Sequence, residues 1–294
     1  MSSEPQTAES RQRRRPWYHW VAILAVLLIV LVGVPLALLD MTGRAALQRE
    51  FDAIRIAGGP VNFEQLQAAL IPLPDDQNGA LVLLALTDRL ETLSESADRE
   101  KLLPVLGQAD LPAFGEPYPP ETLTAIDRLI ADQEELLAEI DRLHAMPRGR
   151  SPLEELNVET VLPHLSPIRT AAKLKSLHAL HHLARHDVAN ANRDVVTMLN
   201  IAGSVAEEPI LISFLVATAI QSLAIHTFER VLAAGVLADD DLLALGKRLR
   251  GVMETASPTQ AMWGERLFQL NLHERYAKDP AAVMRSSSQS VTPL

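Results

Sequence analysis

Apolar and polar positions are distributed very unevenly along this chain. From Pro16 to Leu39 there is no Asp, Glu, Lys or Arg, and Trp20–Leu39 reads WVAILAVLLIVLVGVPLALL. Twenty helical residues rise about 30 Å, the thickness of a bilayer's hydrocarbon core, and a helix satisfies its own backbone hydrogen bonds in lipid. The pattern predicts a transmembrane anchor over 16–39, with Gly33 and Pro35 placed to kink its far end. Beyond it, apolar residues recur at helical spacing. Arg44–Ala57 presents Ala46, Leu47, Phe51, Ile54 and Ala57 on one face and extends the first helix until Gly58-Gly59-Pro60 stops it. Asn62 caps a short helix to Leu70, and Ile71-Pro72-Leu73-Pro74 forces an extended link. A helix over Ala80–Leu93 follows, then a short one at Arg99–Leu103 and a Pro-rich connector near 104–120. Glu121–His144 reads as one long amphipathic helix ended by Met146-Pro147-Arg148-Gly149. Five more helices are predicted in close succession: Pro163–His186, Asp187–Val205, Pro209–Ala234, Asp239–Thr255 and Ser257–Lys278. Their short joins make consecutive helices antiparallel neighbours. No strand-like alternation occurs. The predicted fold is all-α: one N-terminal transmembrane helix, then an extracytoplasmic array of antiparallel helical hairpins over 40–284, either an irregular bundle or an α-solenoid. The polar tails 1–15 and 285–294 are predicted to be disordered.

Charge gives this division a direction. Arg11, Arg13, Arg14 and Arg15 against Glu4 and Glu9 leave the first tail at +2; the anchor carries no charge, so −12 of the net −10 falls beyond it. Basic residues stay on the cytoplasmic side, and Trp17, Tyr18 and Trp20 suit the headgroup level. The expected topology is a single-pass inner-membrane protein with its amino terminus in the cytoplasm and its large domain periplasmic or otherwise extracytoplasmic. A cleaved signal peptide is the competing reading. The apolar run exceeds the usual ~7–15 residues, and Ala37-Leu38-Leu39-Asp40 offers no small-x-small cleavage site, so a retained anchor is expected. The arginines are also similar to a twin-arginine export signal, which Pro16-Trp17-Tyr18 does not support. An acidic domain has no electrostatic footprint for nucleic acid and is repelled by anionic headgroups. With no cysteine in the chain, disulfides, thiolate metal sites and cysteine nucleophiles are excluded. Hydrophobic residues make up 48% and aromatics only 4%, and the Leu and Ala excess favours helix.

Few residues invite chemistry. His178, His182 and His186 fall at i, i+4 and i+8, which aligns them along one side of a helix, with His181 beside them. Imidazoles one turn apart can share zinc, nickel or copper, so these three are the candidate metal ligands. A catalytic zinc site needs a third ligand and a base, as in H-E-x-x-H, and no Glu lies between them; Asp187, His164 or His226 could approach. The bland alternative is a partly solvated face beside Leu177, Leu180 and Leu183. Asp75-Asp76-Gln77-Asn78-Gly79 lacks the spacing of a calcium loop and reads as a helix cap, as does Asp239-Asp240-Asp241. Glu134, Glu135, Glu139 and Asp141 read as a solvated face, and Met262, Trp263, Phe268 and Tyr276 as core or a docking surface. Neither a G-x-S-x-G nor a phosphate-binding loop nor a nucleotide fingerprint is present, so no catalytic residue and no cofactor are expected.

Ile54–Leu66 (IRIAGGPVNFEQL), then Ile71–Ala80 (IPLPDDQNGA), resembles a group of uncharacterised membrane-anchored envelope proteins of Planctomycetes-type bacteria. The shared pattern is "aaGePvt-x-x-eL", a Pro-rich link, then "pd-x-x-NAA". Gly59 stands here for the acidic residue and Gly79 for the first Ala, and Leu165–Leu232 is similar to that group's central helices. The resemblance implies a helical, membrane-anchored envelope protein and leaves function open. Leu174–Val205 also looks like a tetratricopeptide-type hairpin, without a clean 34-residue repeat or the signature Trp, Gly and Tyr. Together these readings lead to a membrane-tethered, non-catalytic scaffold that binds protein partners on its helical surfaces, with unknown oligomeric state. A metal-binding protein or metal-dependent enzyme using the His178–His186 face is the first alternative, and a carrier of apolar ligands the second.

Overall fold

The computed structural model describes residues 18–97, 100–153, 162–255 and 257–278, so the two tails expected to be disordered lie outside the described residues. Two compact units emerge, Met1–Gly59 and Pro60–Leu294. No strand occurs among the described residues, only two isolated bridges, and the fold is all-α.

The first unit holds α1 (Tyr18–Leu28), a π-helical turn (Ile29–Gly33) and α2 (Val34–Ile56). Pro35 has no N–H to offer the preceding turn, and the widened turn directly before it absorbs that loss. Every described side chain between Trp20 and Leu39 is exposed. Over Ile23–Ile56 the helix reaches a mean hydropathy of 2.8, which makes it long and apolar enough to cross a membrane. As the periodicity of Arg44–Ala57 predicts, α2 continues to Ile56 without a break. It ends in a Schellman turn: Gly58, at φ 75°, donates to Arg55, and Gly59 donates to Ile54.

The second unit contains α3 (Phe63–Ala69), α4 (Gly79–Ala85), α5 (Thr87–Ala97), α6 (Pro120–Asp132), α7 (Glu134–Asp141), α8 (Leu165–Ala184), α9 (Val188–Ala206), α10 (Leu211–Ala234), α11 (Asp239–Thr255) and α12 (Pro258–Lys278). Two predicted helices are each divided. Leu86 (φ −104°, ψ 3°) separates α4 from α5, and Gln133 (φ −111°, ψ 18°) separates α6 from α7. Each break creates a new N-terminal turn that holds Asp88 or Glu134 and Glu135, where carboxylates meet free amides; apolar periodicity alone cannot register this. The short helix expected at Arg99–Leu103 does not form over the described residues 100–103. Pro104 biases Leu103 away from helical angles, and Gln108 and Ala109 donate back to the carbonyls of Glu100 and Leu103 instead.

Helix α9 is the centre. It packs against α8, α10, α11 and α4, while α8 also meets α5, α6 and α10. Ala191, Val195, Met198, Ile201, Ala202 and Val205 are essentially inaccessible. A smaller cluster of Leu66, Ile210 and Leu267 joins α3, the start of α10 and α12. At 24 residues, α10 is also long and apolar enough to span a membrane, but it packs on α8 and α9. Its inner stripe is small-to-medium in size, and Ser176 and Thr227 share a 2.8 Å hydrogen bond across the α8–α10 contact.

The segment after α7 threads between α4 and α9. Asn78 accepts from Ala80 N at 3.2 Å, capping α4, and clamps Arg150 by two 2.9 Å bonds to its backbone N–H and carbonyl. Gly79 donates to Arg148 O at 3.0 Å and Gly149 to Gly203 O at 3.1 Å. Asn200 donates to the carbonyls of Leu143 and His144, each at 2.8 Å. A Cβ on Gly149 would lie 2.6 Å from Ala80 N, and one on Gly203 would overlap the carbonyl of Pro147. By contrast, Gly246 in α11 has nothing within 4 Å of that position. Gly203→Ala is therefore expected to lower unfolding free energy by about 1–3 kcal/mol through overpacking. Gly246→Ala is expected to raise it by about 0.5–1 kcal/mol through helix propensity. Urea denaturation of the two variants beside the parent measures both signs.

Candidate functional site

A charged seam runs between α8 and α9. Lys175, His178 and His182 fall at i, i+3 and i+7 on α8 and share one face. Lys175 is fully buried, and its ammonium is paired with Asp194 Oδ1 on α9 and with Asp141 Oδ1 at the end of α7, the latter at 2.6 Å. Asp194 is itself 3% exposed. Its second oxygen, Oδ2, lies 3.0 Å from His178 Nδ1 and 3.9 Å from His182 Nε2. Despite the short distances, Oδ2 receives no hydrogen bond of acceptable geometry. The imidazoles of His178 and His182 meet edge to face at 4.4 Å between centroids. One donor atom from each of His178, His182 and Asp194 lies within 4.8 Å of the others.

His186, aligned with the other two by spacing, is elsewhere. Helix α8 ends at Ala184 in a Schellman turn, with His186 N donating to Leu183 O and Asp187 N to His182 O, both at 3.0 Å. His186 occupies the left-handed position of that turn, at φ 60°. The i+8 spacing assumes one more helical turn than the chain makes, so the candidate ligand His186 does not join His178 and His182. Asp194 takes its place.

Asp187, considered from the sequence as a neighbour, has a different role. It caps α9, accepting from Asn190 N, and Asn190 Nδ2 donates to its Oδ2 at 2.7 Å. Those hydrogen bonds hold its carboxyl below the usual carboxylate range. The same Oδ2 sits 3.3 Å from His182 Nδ1. Burial pushes the imidazole of His182 below its ordinary pKa and does the same to His181, whose Nε2 lies 3.1 Å from Asp127 on α6.

His226 is exposed beside Glu229, and His164 is buried against Glu208. Glu208 receives Ser213 Oγ at 2.5 Å and lies 3.1–3.2 Å from His164 Nε2. Serine and imidazole thus both face the carboxylate; the imidazole does not bridge them, and the cluster lacks the nucleophile–base contact of an acyl-transfer site. It ties the α9–α10 elbow to the start of α8. A separate cavity of about 450 Å³ is bounded by Phe114, Tyr118, Leu180, Leu183 and Arg230, with His186 at its wall.

No family model, curated protein or solved structure matches this chain. Its chemistry therefore has to be read from the geometry alone. Lys175, Asp141 and Asp194 went unrecognised in the sequence as members of a site. Their only signal there is two charged residues inside the apolar faces of neighbouring helices: Lys175 between Leu174 and Leu177, and Asp194 next to Val195 and Met198.

One pH dependence follows at the edge of the seam. His144, after α7, is pushed below its ordinary pKa by burial and by Arg193, so the unfolded chain binds the proton more tightly. Its contribution to stability is complete above the unfolded pKa of about 6.5 and is lost as the pH falls below that value. Urea unfolding at pH 7.5, 6.5 and 5.5 should show a smaller loss on acidification in His144→Gln than in the parent.

Proposed function

We propose that this chain is a membrane-tethered, non-catalytic interaction protein of the cell envelope, with its helices arranged as antiparallel hairpins outside the lipid. The observation that carries the reading is on α10. Its inner stripe is buried against α8 and α9, yet Ile212, Leu215, Ile225 and Leu232 on the other side stay 41–51% exposed. These four aliphatics share the outer side of α10 with exposed Thr218, Ser222, His226 and Glu229, a mixed apolar and polar surface of the kind that protein contacts use.

The tether rests on the exposed apolar helix of the first unit together with the +2 to −12 charge step of the sequence. Both features support an amino terminus in the cytoplasm and a helical domain on the outer side of the inner membrane. A chain carrying an amino-terminal epitope and expressed in a Gram-negative host should stay in the membrane pellet after alkaline carbonate, at full length and with the epitope. Recovery of a shortened soluble product would mean that the apolar segment is a cleaved signal.

The contact surface is tested in the same membranes. A photo-crosslinking residue at Leu215 or Ile225 should give a discrete adduct with a second protein, and one at Glu139, half-exposed on α7, should not. Equal labelling from the three positions would remove the α10 stripe from consideration.

A further inference from the structure

We propose that the α8–α9 seam is a binding site for one divalent transition-metal ion, held by His178, His182 and Asp194. The argument begins with Asp194 Oδ2. This oxygen is buried and lacks a hydrogen bond, while its twin Oδ1 is occupied by Lys175. A buried carboxylate oxygen without a partner costs free energy, so native proteins rarely leave one. Two imidazole nitrogens face it, at 3.0 and 3.9 Å. His178 Nδ1 also lies 3.3 Å from the Lys175 ammonium. An ammonium only donates, so a bond from Lys175 makes His178 Nδ1 an acceptor. The unprotonated His178 Nδ1 and the unpartnered Asp194 Oδ2 then lie 3.0 Å apart with no hydrogen bond between them, and a cation that reached both would coordinate them.

Charge balance leads to the same conclusion. Asp141, Asp187 and Asp194 surround the seam, and Lys175 is the one buried cation within it. Asp194 and Lys175 cancel inside the seam, and Asp141 and Asp187, whose side chains are 36% and 37% exposed, add a negative potential at its rim that favours a bound cation. Lys175 leaves Asp194 Oδ2 to the imidazoles because it pairs with Oδ1; an ion at the site would take over His178 Nδ1 from the ammonium, which keeps Asp141 and Asp194 Oδ1 as partners.

The surroundings of His182 fit as well. Its Nε2 is turned toward Asp194, while its Nδ1 is 3.3 Å from Asp187 Oδ2. Metal-bound histidine characteristically gives its other ring N–H to a carboxylate, which fixes the tautomer and raises ligand basicity. Asp187 is in turn held by Asn190, so this outer support is rigid. Two imidazoles and one carboxylate, with no thiolate in the chain, select zinc, cobalt, nickel, copper or ferrous iron over calcium or magnesium. The side chains of His178 and His182 are 17% and 20% exposed, so an ion can reach the site without unfolding.

The site is independent of the contact surface proposed on α10, and either can fail alone. The test uses the untagged full-length chain in detergent micelles, stripped with chelator and titrated with zinc by calorimetry and with cobalt(II) by visible absorption. One equivalent should bind. His182→Ala and His178→Ala should each weaken zinc binding at least tenfold and lose the cobalt absorption. Both positions are partly exposed, so circular dichroism should be unchanged. His186→Gly and His226→Ala should bind like the parent. Asp187→Asn should weaken binding by about 10–100-fold, as outer-shell carboxylates do. The proposal is overturned if the parent binds no zinc at micromolar concentration, if His182→Ala binds as tightly as the parent, or if His226→Ala removes the binding.

Discussion

Burying an ammonium in a helical core constrains everything around it. Lys175 is fully inaccessible, and an unpaired charge there would cost several kcal/mol. Its two carboxylate partners come from different helices, Asp194 from α9 and Asp141 from the end of α7. The requirement to satisfy one side chain therefore fixes the rotation of α8 against α9 and the place where α7 must stop. Apolar contacts set how closely these helices approach, but they tolerate a slide or a small rotation far better than three converging charges do. The same rotation turns His178 and His182 toward Asp194.

A second constraint is steric and lies at the other end of α9. The segment from Met146 to Ser151 passes so close to α4 and α9 that backbone replaces side chain at Gly79, Gly149 and Gly203. Asn78 holds that segment through Arg150, and Arg148 forms a two-point ion pair with Glu207 at the end of α9. Because one 3-10 turn, Arg142–Ala145, joins this segment to the end of α7, it helps to hold Asp141 within reach of Lys175. The Asn-Gly-Ala stretch is thus a cap and a clamp together, which explains why an Asn is followed there by the smallest residues.

Much of the helical layout was legible in the sequence. Asp239–Thr255 matches α11 as expected, and the starts and ends of α8, α9, α10 and α12 lie within a few residues of the predicted ones, because apolar periodicity and short polar joins are local signals. The breaks at Leu86 and Gln133 were not legible: the apolar spacing runs straight across both, and the gain comes from new helix starts carrying carboxylates. Half of the candidate site could be read. His178 and His182 share a face whenever α8 is helical. His186 needed the helix to continue past Ala184, and the chain turned there instead. Asp194 could not be placed by spacing at all, since its position depends on how α9 packs on α8.

The seam is also costly in a way that bears on its purpose. Buried ionic clusters are often no more stabilising than apolar side chains of similar volume. The neighbouring positions on both helices, Leu174, Leu177, Val195 and Met198, are apolar and fully packed, so this fold can fill such space with hydrocarbon. A cluster kept only to orient the helices would be complete with Lys175, Asp141 and Asp194 Oδ1. It would not need a second carboxylate oxygen without a partner, two imidazoles turned toward it, or an outer carboxylate behind one of them. Those additional features are what separate a site that receives a cation from a buried ion pair.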